Sequence, residues 1–182
     1  MFIYQLDTSS KLKLLDQQDA EALFSLIKQS EDHLKKWLPW VEFTKQVEDT
    51  KTFIASVMQQ YADNNGWQAG IWYKNRLAGV IGFHYIDWSN QSTSIGYWLG
   101  HEYQGMGLMT KACRALMEYA FENVHLHRVE IKAAEKNERS RAIPERLGFQ
   151  KEGCLRGAEQ VNGRHLDVIV YGMLQKEWKK EE

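Results

Sequence analysis

A mixed α/β domain, built on a mostly antiparallel sheet of about seven strands flanked by helices, is the fold class that the 182 residues predict. Three observations carry it. Apolar residues recur at helical spacing in two segments of the first half. Beyond residue 66 the period changes to two, in three consecutive segments joined by short polar turns. The remainder alternates helix, strand, helix, strand, strand.

In order, "KLKLL" (Lys11 to Leu15) alternates as a short strand, and Asp16 then stands where an N-cap would. Ala20, Leu23, Phe24 and Ile27 follow at helical spacing, so a helix is expected over about Asp16 to Gln29. "HLKKWLPWV" (His33 to Val41) is broken by Pro39. Val47, Phe53, Ile54, Val57, Met58 and Tyr61 then share one face of a second long helix. "DNNG" (Asp63 to Gly66) ends it, because Asn and Gly tolerate the left-handed conformation of helix stops. Trp67 to Tyr73, Leu77 to Ile86 and Thr93 to Leu99, separated by "KNR" and "DWSNQ", read as an antiparallel meander. Met109, Cys113, Leu116, Ala120 and Val124 form the buried stripe of the next helix. "RVEIKAA" (Arg128 to Ala134) alternates as a strand, and "ERSRAIPERLGF" is a short helix closed by Gly148. Two final strands cover about Gln150 to Glu159 and His165 to Leu174.

The length suits one domain over residues 1–182, with no internal repeat, low-complexity stretch or linker. A formal net charge of -1 offers no field for polyanions, so direct nucleic-acid binding is not expected. Cys113 and Cys154 lack a paired spacing, the N-terminus lacks signal-peptide character, and no apolar run approaches the roughly 18 residues needed to span a bilayer. A cytoplasmic protein without membrane partners is the expectation.

"YWLGHEYQGMGLMT" (Tyr97 to Thr110) runs from a strand through two glycines into a helix start. A nucleotide loop would need a lysine that reaches phosphate, and Thr110 and Lys111 stand in the reverse order. A dinucleotide fingerprint begins with Gly105 and Gly107 but meets Thr110 in place of its third glycine. Two readings remain. The unpaired N–H groups of a helix beginning near Leu108 hold an anionic group, or the glycines serve only the geometry of a tight turn. Further on, "NERSRAIPERLGF" (Asn137 to Phe149) places Asn137 and Ser140 one helical turn apart after another strand end. Alone, Asn137 is an ordinary N-cap and Ser140 an ordinary first-turn serine. Together with the glycine turn, they put two strand C-termini and two helix N-termini at one end of a sheet, where ligands of α/β proteins tend to sit.

With "KKWLPWV", "EYQGMGLMT", "NERSRAIPERLGF" and "GCLRGAE" in this order, the chain resembles the GNAT acetyltransferases over nearly its whole length. It is most similar to the RimJ/RimL-type branch, which acetylates ribosomal-protein N-termini. The family motif Q/R-x-x-G-x-G/A falls on Gln104 and Gly107, with Met109 departing from the small residue usual in the last place. The resemblance implies the acyl-CoA N-acyltransferase fold with splayed central strands, and acetyl-CoA as cosubstrate. It implies that the pantetheine arm bonds to the backbone around Trp98 and Leu99, and that Gln104, Gly105, Met106, Gly107, Leu108, Met109 and Thr110 receive the pyrophosphate, with Asn137 beside them. The missing lysine then makes sense, since a transferase that never cleaves the phosphates only holds them.

The implied reaction is direct attack of an amine on the thioester in a ternary complex. An α-amino group with a pKa near ~8 needs only modest deprotonation, and family position gives Glu159 that task, directly or through water. A backbone N–H near Leu99 would stabilise the developing oxyanion. Where many GNAT enzymes carry a tyrosine acid, Pro144 stands here, so Ser140 is the residue expected to hydrogen-bond the leaving sulfur. Trp37 and Trp40 match the segment that covers the acceptor. The acceptor implied is the N-terminal α-amine of a protein, a ribosomal protein first; a small-molecule amine N-acetyltransferase and a non-catalytic acyl-CoA-binding module are the alternatives, and a homo-oligomer is left open. No metal is expected: His125 and His127 share a face without a third ligand. Cys113 reads as a packed hydrophobe, and Cys154 has no paired base.

Overall fold

The computed structural model describes residues 3–179. Eight strands form one sheet: β1 (Ile3–Gln5), β2 (Ser10–Leu14), β3 (Trp67–Tyr73), β4 (Arg76–Asp87), β5 (Ser92–Leu99), β6 (Arg128–Ala134), β7 (Gln150–Val161) and β8 (Arg164–Leu174). Their order is β1-β2-β3-β4-β5-β6-β8-β7. All neighbours are antiparallel except β5 and β6. The strand beyond the seven expected is β1, three exposed residues on the rim.

The helices are α1 (Ala20–Gln29), α2 (Glu31–Leu34), α3 (Val47–Ala62), α4 (Leu108–Glu118) and α5 (Glu138–Arg146). Asp16 accepts from the Gln18 N–H and caps a 3-10 turn that leads into α1. Asp63 caps α3, and Asn64 and Gly66 take φ of 54° and 100°, which only such residues adopt readily. Pro39 opens a 3-10 turn over Pro39–Phe43.

In β4, seven consecutive residues from Leu77 to Phe83 are buried. A strand whose successive side chains point to opposite faces can bury them all only when both faces are covered. One core therefore runs through the sheet, from Leu23, Ile27 and Ile54 to Leu108, Met117 and Phe121. The stripe expected on this helix holds, although α4 itself stops at Glu118: Met109, Cys113 and Leu116 are buried on α4, Ala120 is buried on the π-helical turn that continues it (Tyr119–Asn123), and Val124 packs against the core. The face expected on α3 is narrower than its apolar pattern. Thr50, Ile54 and Val57 are buried, while Phe53, Met58 and Tyr61 are 39%, 44% and 48% exposed. β7 is a different kind of edge, exposed at every position from Gln150 to Gln160. No helix among the described residues is long and apolar enough to cross a membrane.

Candidate active site

The parallel ladder between β5 and β6 ends at the Ile95–Ile131 pair. β5 continues to Leu99, bonded only to β4 through Tyr97–Ile81, Trp98–Val80 and Leu99–Gly79. β6 continues to Ala134, bonded only to β8. The sheet therefore opens between Gly96–Leu99 on one side and Lys132–Ala134 on the other, leaving a strand edge of the kind that an extended ligand can complete.

At the mouth of this gap the chain turns into α4. Gly105 and Gly107 take left-handed φ of 76° and 72°, and a Cβ on either would meet nothing within 4 Å. The glycines are needed for backbone conformation, and the space beside them is open. The first backbone bond of α4 runs from the Lys111 N–H to the Gly107 carbonyl at 3.1 Å. The N–H groups of Leu108, Met109 and Thr110 therefore have no partner within the helix. Among the described residues none accepts from Gly105, Met106 or Gly107 either. Consecutive donors at a helix N-terminus favour an anion. Met109, the departure from the motif, is 5% exposed and points into the core. Its side chain is thus withdrawn from the turn, whose donors belong to the backbone.

Two arginines of α5 reach this turn. Arg139 donates to the Gln104 carboxamide oxygen, and Arg146 donates to Thr110 Oγ1 at 2.9 Å. Gln104 also meets the His33 ring across the end of α2, and the His33 and His101 rings lie 5.7 Å apart. Burial, with His101 and Arg139 nearby, holds the His33 imidazole below its usual range, so it is neutral at pH 7.

Asn137 caps α5, its Oδ1 accepting from the Ser140 N–H at 3.2 Å. The Ser140 hydroxyl faces the Tyr97 hydroxyl at 3.5 Å, and Tyr97 donates to the Ser140 carbonyl at 2.8 Å. Pro144 lies buried inside α5. Two adjoining cavities open here. One, of about 690 Å³, is lined by Ser30, His33, Trp37, His101, Asn137 and Arg139 among others. The second, of about 480 Å³, lies among Lys36, Trp37, Glu135, Lys136, Arg164 and Asp167.

Trp37 borders both cavities. Trp40 borders neither but packs on Trp98 with ring centroids 5.8 Å apart. Glu159 also lies outside both linings; it pairs across β7–β8 with Leu166, which lines the second cavity. Glu159 is an exposed residue, yet its carboxyl is dehydrated enough that burial raises its pKa above the ordinary glutamate value. Cys113 is fully buried, its thiol pushed up by burial, and Cys154 is exposed. No cluster of three metal-ligating side chains occurs among the described residues.

The sequence reading missed His33, Tyr97, Arg139 and Arg146. For the arginines a signal existed: two helical turns apart, they share the side of α5 that meets α4. For His33, which approaches Gln104 from 71 residues away, none existed.

An open parallel pair, a donor-lined turn and a capped second helix define an acyltransferase of the GNAT kind. The chain belongs to that family: residues 11–150 match the acetyltransferase (GNAT) domain, and it is an acetyl-CoA-dependent N-acetyltransferase. A Bacillus subtilis (strain 168) protein named "Putative ribosomal N-acetyltransferase YdaF" is 43% identical over 183 residues, covering 100% of each chain. Among solved structures, RimL, the ribosomal L7/L12 alpha-N-protein acetyltransferase, in complex with coenzyme A, superposes with a TM-score of 0.92 at 29% identity, over 95% of this chain and 98% of that one. The microcin C7 self-immunity acetyltransferase MccE, in complex with acetyl-CoA and AMP, gives 0.89 at 32% identity, over 93% and 94%.

Proposed function

We propose that this protein transfers the acetyl group of acetyl-CoA to the N-terminal α-amine of a protein, a ribosomal protein first among the candidates, by direct transfer in a ternary complex in the cytoplasm. The observation that carries the proposal is the ladder ending at Ile95–Ile131 beside the donor-lined turn at Gly105 to Thr110. An edge for a polar, extended arm and an adjoining nest for a diphosphate fit the two ends of one CoA molecule.

In this reading Trp98 and Leu99 bond the pantetheine arm as an added strand. The backbone from Gln104 to Thr110 holds the diphosphate, and Asn137, whose Oδ1 is engaged as a cap, offers its Nδ2 to the arm. The acceptor comes from the side of Trp37, Trp40 and the second cavity. Its ammonium loses a proton to Glu159, directly or through water, and the free amine attacks the thioester carbonyl. A backbone N–H near Leu99 then stabilises the oxyanion, a role worth about 2.7 to 4 kcal/mol per donor in other enzymes. As the carbon–sulfur bond breaks, the Ser140 hydroxyl hydrogen-bonds the departing thiolate, which takes up the second proton lost by the acylated nitrogen, leaving the amide and free CoA thiol.

A second reading, a small-molecule amine as acceptor, is favoured by the charges lining the second cavity, which mixes Lys36, Lys136 and Arg164 with Glu135 and Asp167. One assay separates the two. Release of CoA thiol from acetyl-CoA is followed with N-terminal peptides of ribosomal proteins and with a panel of small amines. Turnover on peptides alone supports the protein acceptor; turnover on small amines alone overturns it.

A further inference from the structure

Tyr97, in the open part of β5, reaches α5 with its side chain. Its position follows from the register, two residues beyond the last parallel pair at Ile95. There the strand no longer bonds to β6, and the Tyr97 hydroxyl reaches the first turn of α5. Its hydroxyl makes two contacts with a single residue: it donates to the Ser140 carbonyl at 2.8 Å and stands 3.5 Å from Ser140 Oγ, which donates to it. The Asn137 side chain grips the same residue by its N–H at 3.2 Å. Ser140 is thus held at its amide, its carbonyl and its hydroxyl, a degree of restraint that a first-turn serine does not need for helix formation.

We infer that Tyr97 is a positioning residue for Ser140, holding its backbone by the carbonyl and parking its hydroxyl proton until the sulfur of coenzyme A presents a better acceptor. The inference rests on the role proposed for Ser140. A neutral phenol oxygen is a weaker acceptor than a thiolate, so the Ser140 hydroxyl turns toward the sulfur only as charge develops there. Preorganised in this way, the hydrogen bond strengthens in the transition state rather than in the bound ground state, which is the condition for raising kcat. Tyr97 itself does not act as the acid. Burial first, then the adjacent Cys113, pushes its phenol far above the usual tyrosine range, so it remains a protonated donor to the Ser140 carbonyl throughout the working pH.

The test is a double-mutant cycle on the full chain with Tyr97→Phe and Ser140→Ala, read as kcat, acetyl-CoA dissociation constant and Tm. Tyr97→Phe keeps the ring and removes only the hydroxyl. The expected result is a fall in kcat of about tenfold, the loss for one oriented hydrogen bond, with the acetyl-CoA dissociation constant within about twofold of wild type. In the Ser140→Ala background, Tyr97→Phe should lower kcat no further, because the group it orients is gone. Multiplying effects would overturn the inference, and so would an unchanged kcat in Tyr97→Phe while Ser140→Ala is impaired. If Ser140→Ala alone leaves kcat unchanged, the role of Ser140 falls and takes this inference with it. A second measurement requires no Tyr97 variant: in tyrosine-labelled protein, the Tyr97 ring resonances should shift on Ser140→Ala substitution and again on addition of CoA. Unchanged resonances in both would overturn the inference.

Discussion

Arg146, in the last turn of α5, donates to Thr110 Oγ1 on the first turn of α4 at 2.9 Å, tying together the two helices that follow β5 and β6. Arg139 makes the matching tie at the other end of the turn through Gln104. Both guanidinium groups stand beside backbone donors that have no acceptor among the described residues, so they add positive charge where the diphosphate is proposed to lie. Arg139→Ala and Arg146→Ala should each weaken CoA binding by about three- to tenfold at low ionic strength, the scale of one exposed charge-assisted contact. Calorimetric titration with CoA checks this. The deficit should shrink as salt is added, because exposed charges are screened.

Glu159 should give the pH dependence of turnover. Its carboxyl is raised by burial, so the acid limb of kcat/KM should lie above the ordinary glutamate value, with the rate falling as pH drops through it. Glu159→Gln should abolish that limb while leaving the CoA dissociation constant unchanged. The same shift has an opposite effect on stability. A carboxyl whose folded pKa is raised contributes its stability below the unfolded value and loses it as pH rises through the folded one. At pH 7 the ionised group therefore disfavours the fold, and Glu159→Gln should raise Tm slightly at pH 7 but not at pH 3.

Met109→Ala separates packing from binding. The side chain is 5% exposed within the core, and removing such a methionine costs about 2 to 5 kcal/mol. The donors of the turn belong to the backbone. Chemical denaturation should show the loss of stability, while the folded fraction binds CoA as tightly as wild type.

Gly79→Ala should damage both. Gly79 pairs with Leu99, and an added Cβ would lie 2.2 Å from the Trp98 carbonyl oxygen, a backbone atom that cannot turn aside. β4 and β5 must separate at the residues proposed to hold the pantetheine arm. A loss of at least about 2 kcal/mol of stability is expected, together with weaker CoA binding.

Trp37→Ala addresses the acceptor side. Trp37 borders both cavities and is half-buried. Its removal should raise the acceptor KM several-fold and leave the acetyl-CoA dissociation constant alone. A change in cofactor affinity instead would move Trp37 out of the acceptor cleft.

Local patterns make most elements legible in the sequence. The switch from helical to strand period at Gly66, the αL residues that stop α3, and the glycines before α4 are all near-neighbour effects, and β3 and β6 end where their alternation ends. The α3 face failed because period alone reports which residues share a side, not how wide a stripe the neighbouring elements cover. Thr50, polar and unremarked, is buried there with its hydroxyl bonded to the Val47 and Ala20 carbonyls.

The candidate site divides in the same way. Gly105, Gly107, Asn137 and Ser140 could be named from the chain because they lie where a strand end, a turn and a helix start are contiguous in sequence, and Gln104 entered through the resemblance to the family motif. The order of the strands and the point where β5 leaves β6 could not, since they depend on pairings made across the whole sheet. The contacts that tune the site are of this second kind: His33 to Gln104, Tyr97 to Ser140, Arg146 to Thr110. Each joins residues at least 36 positions apart. Spacing along a chain carries no record of such distances; only packing brings those atoms within hydrogen-bonding reach.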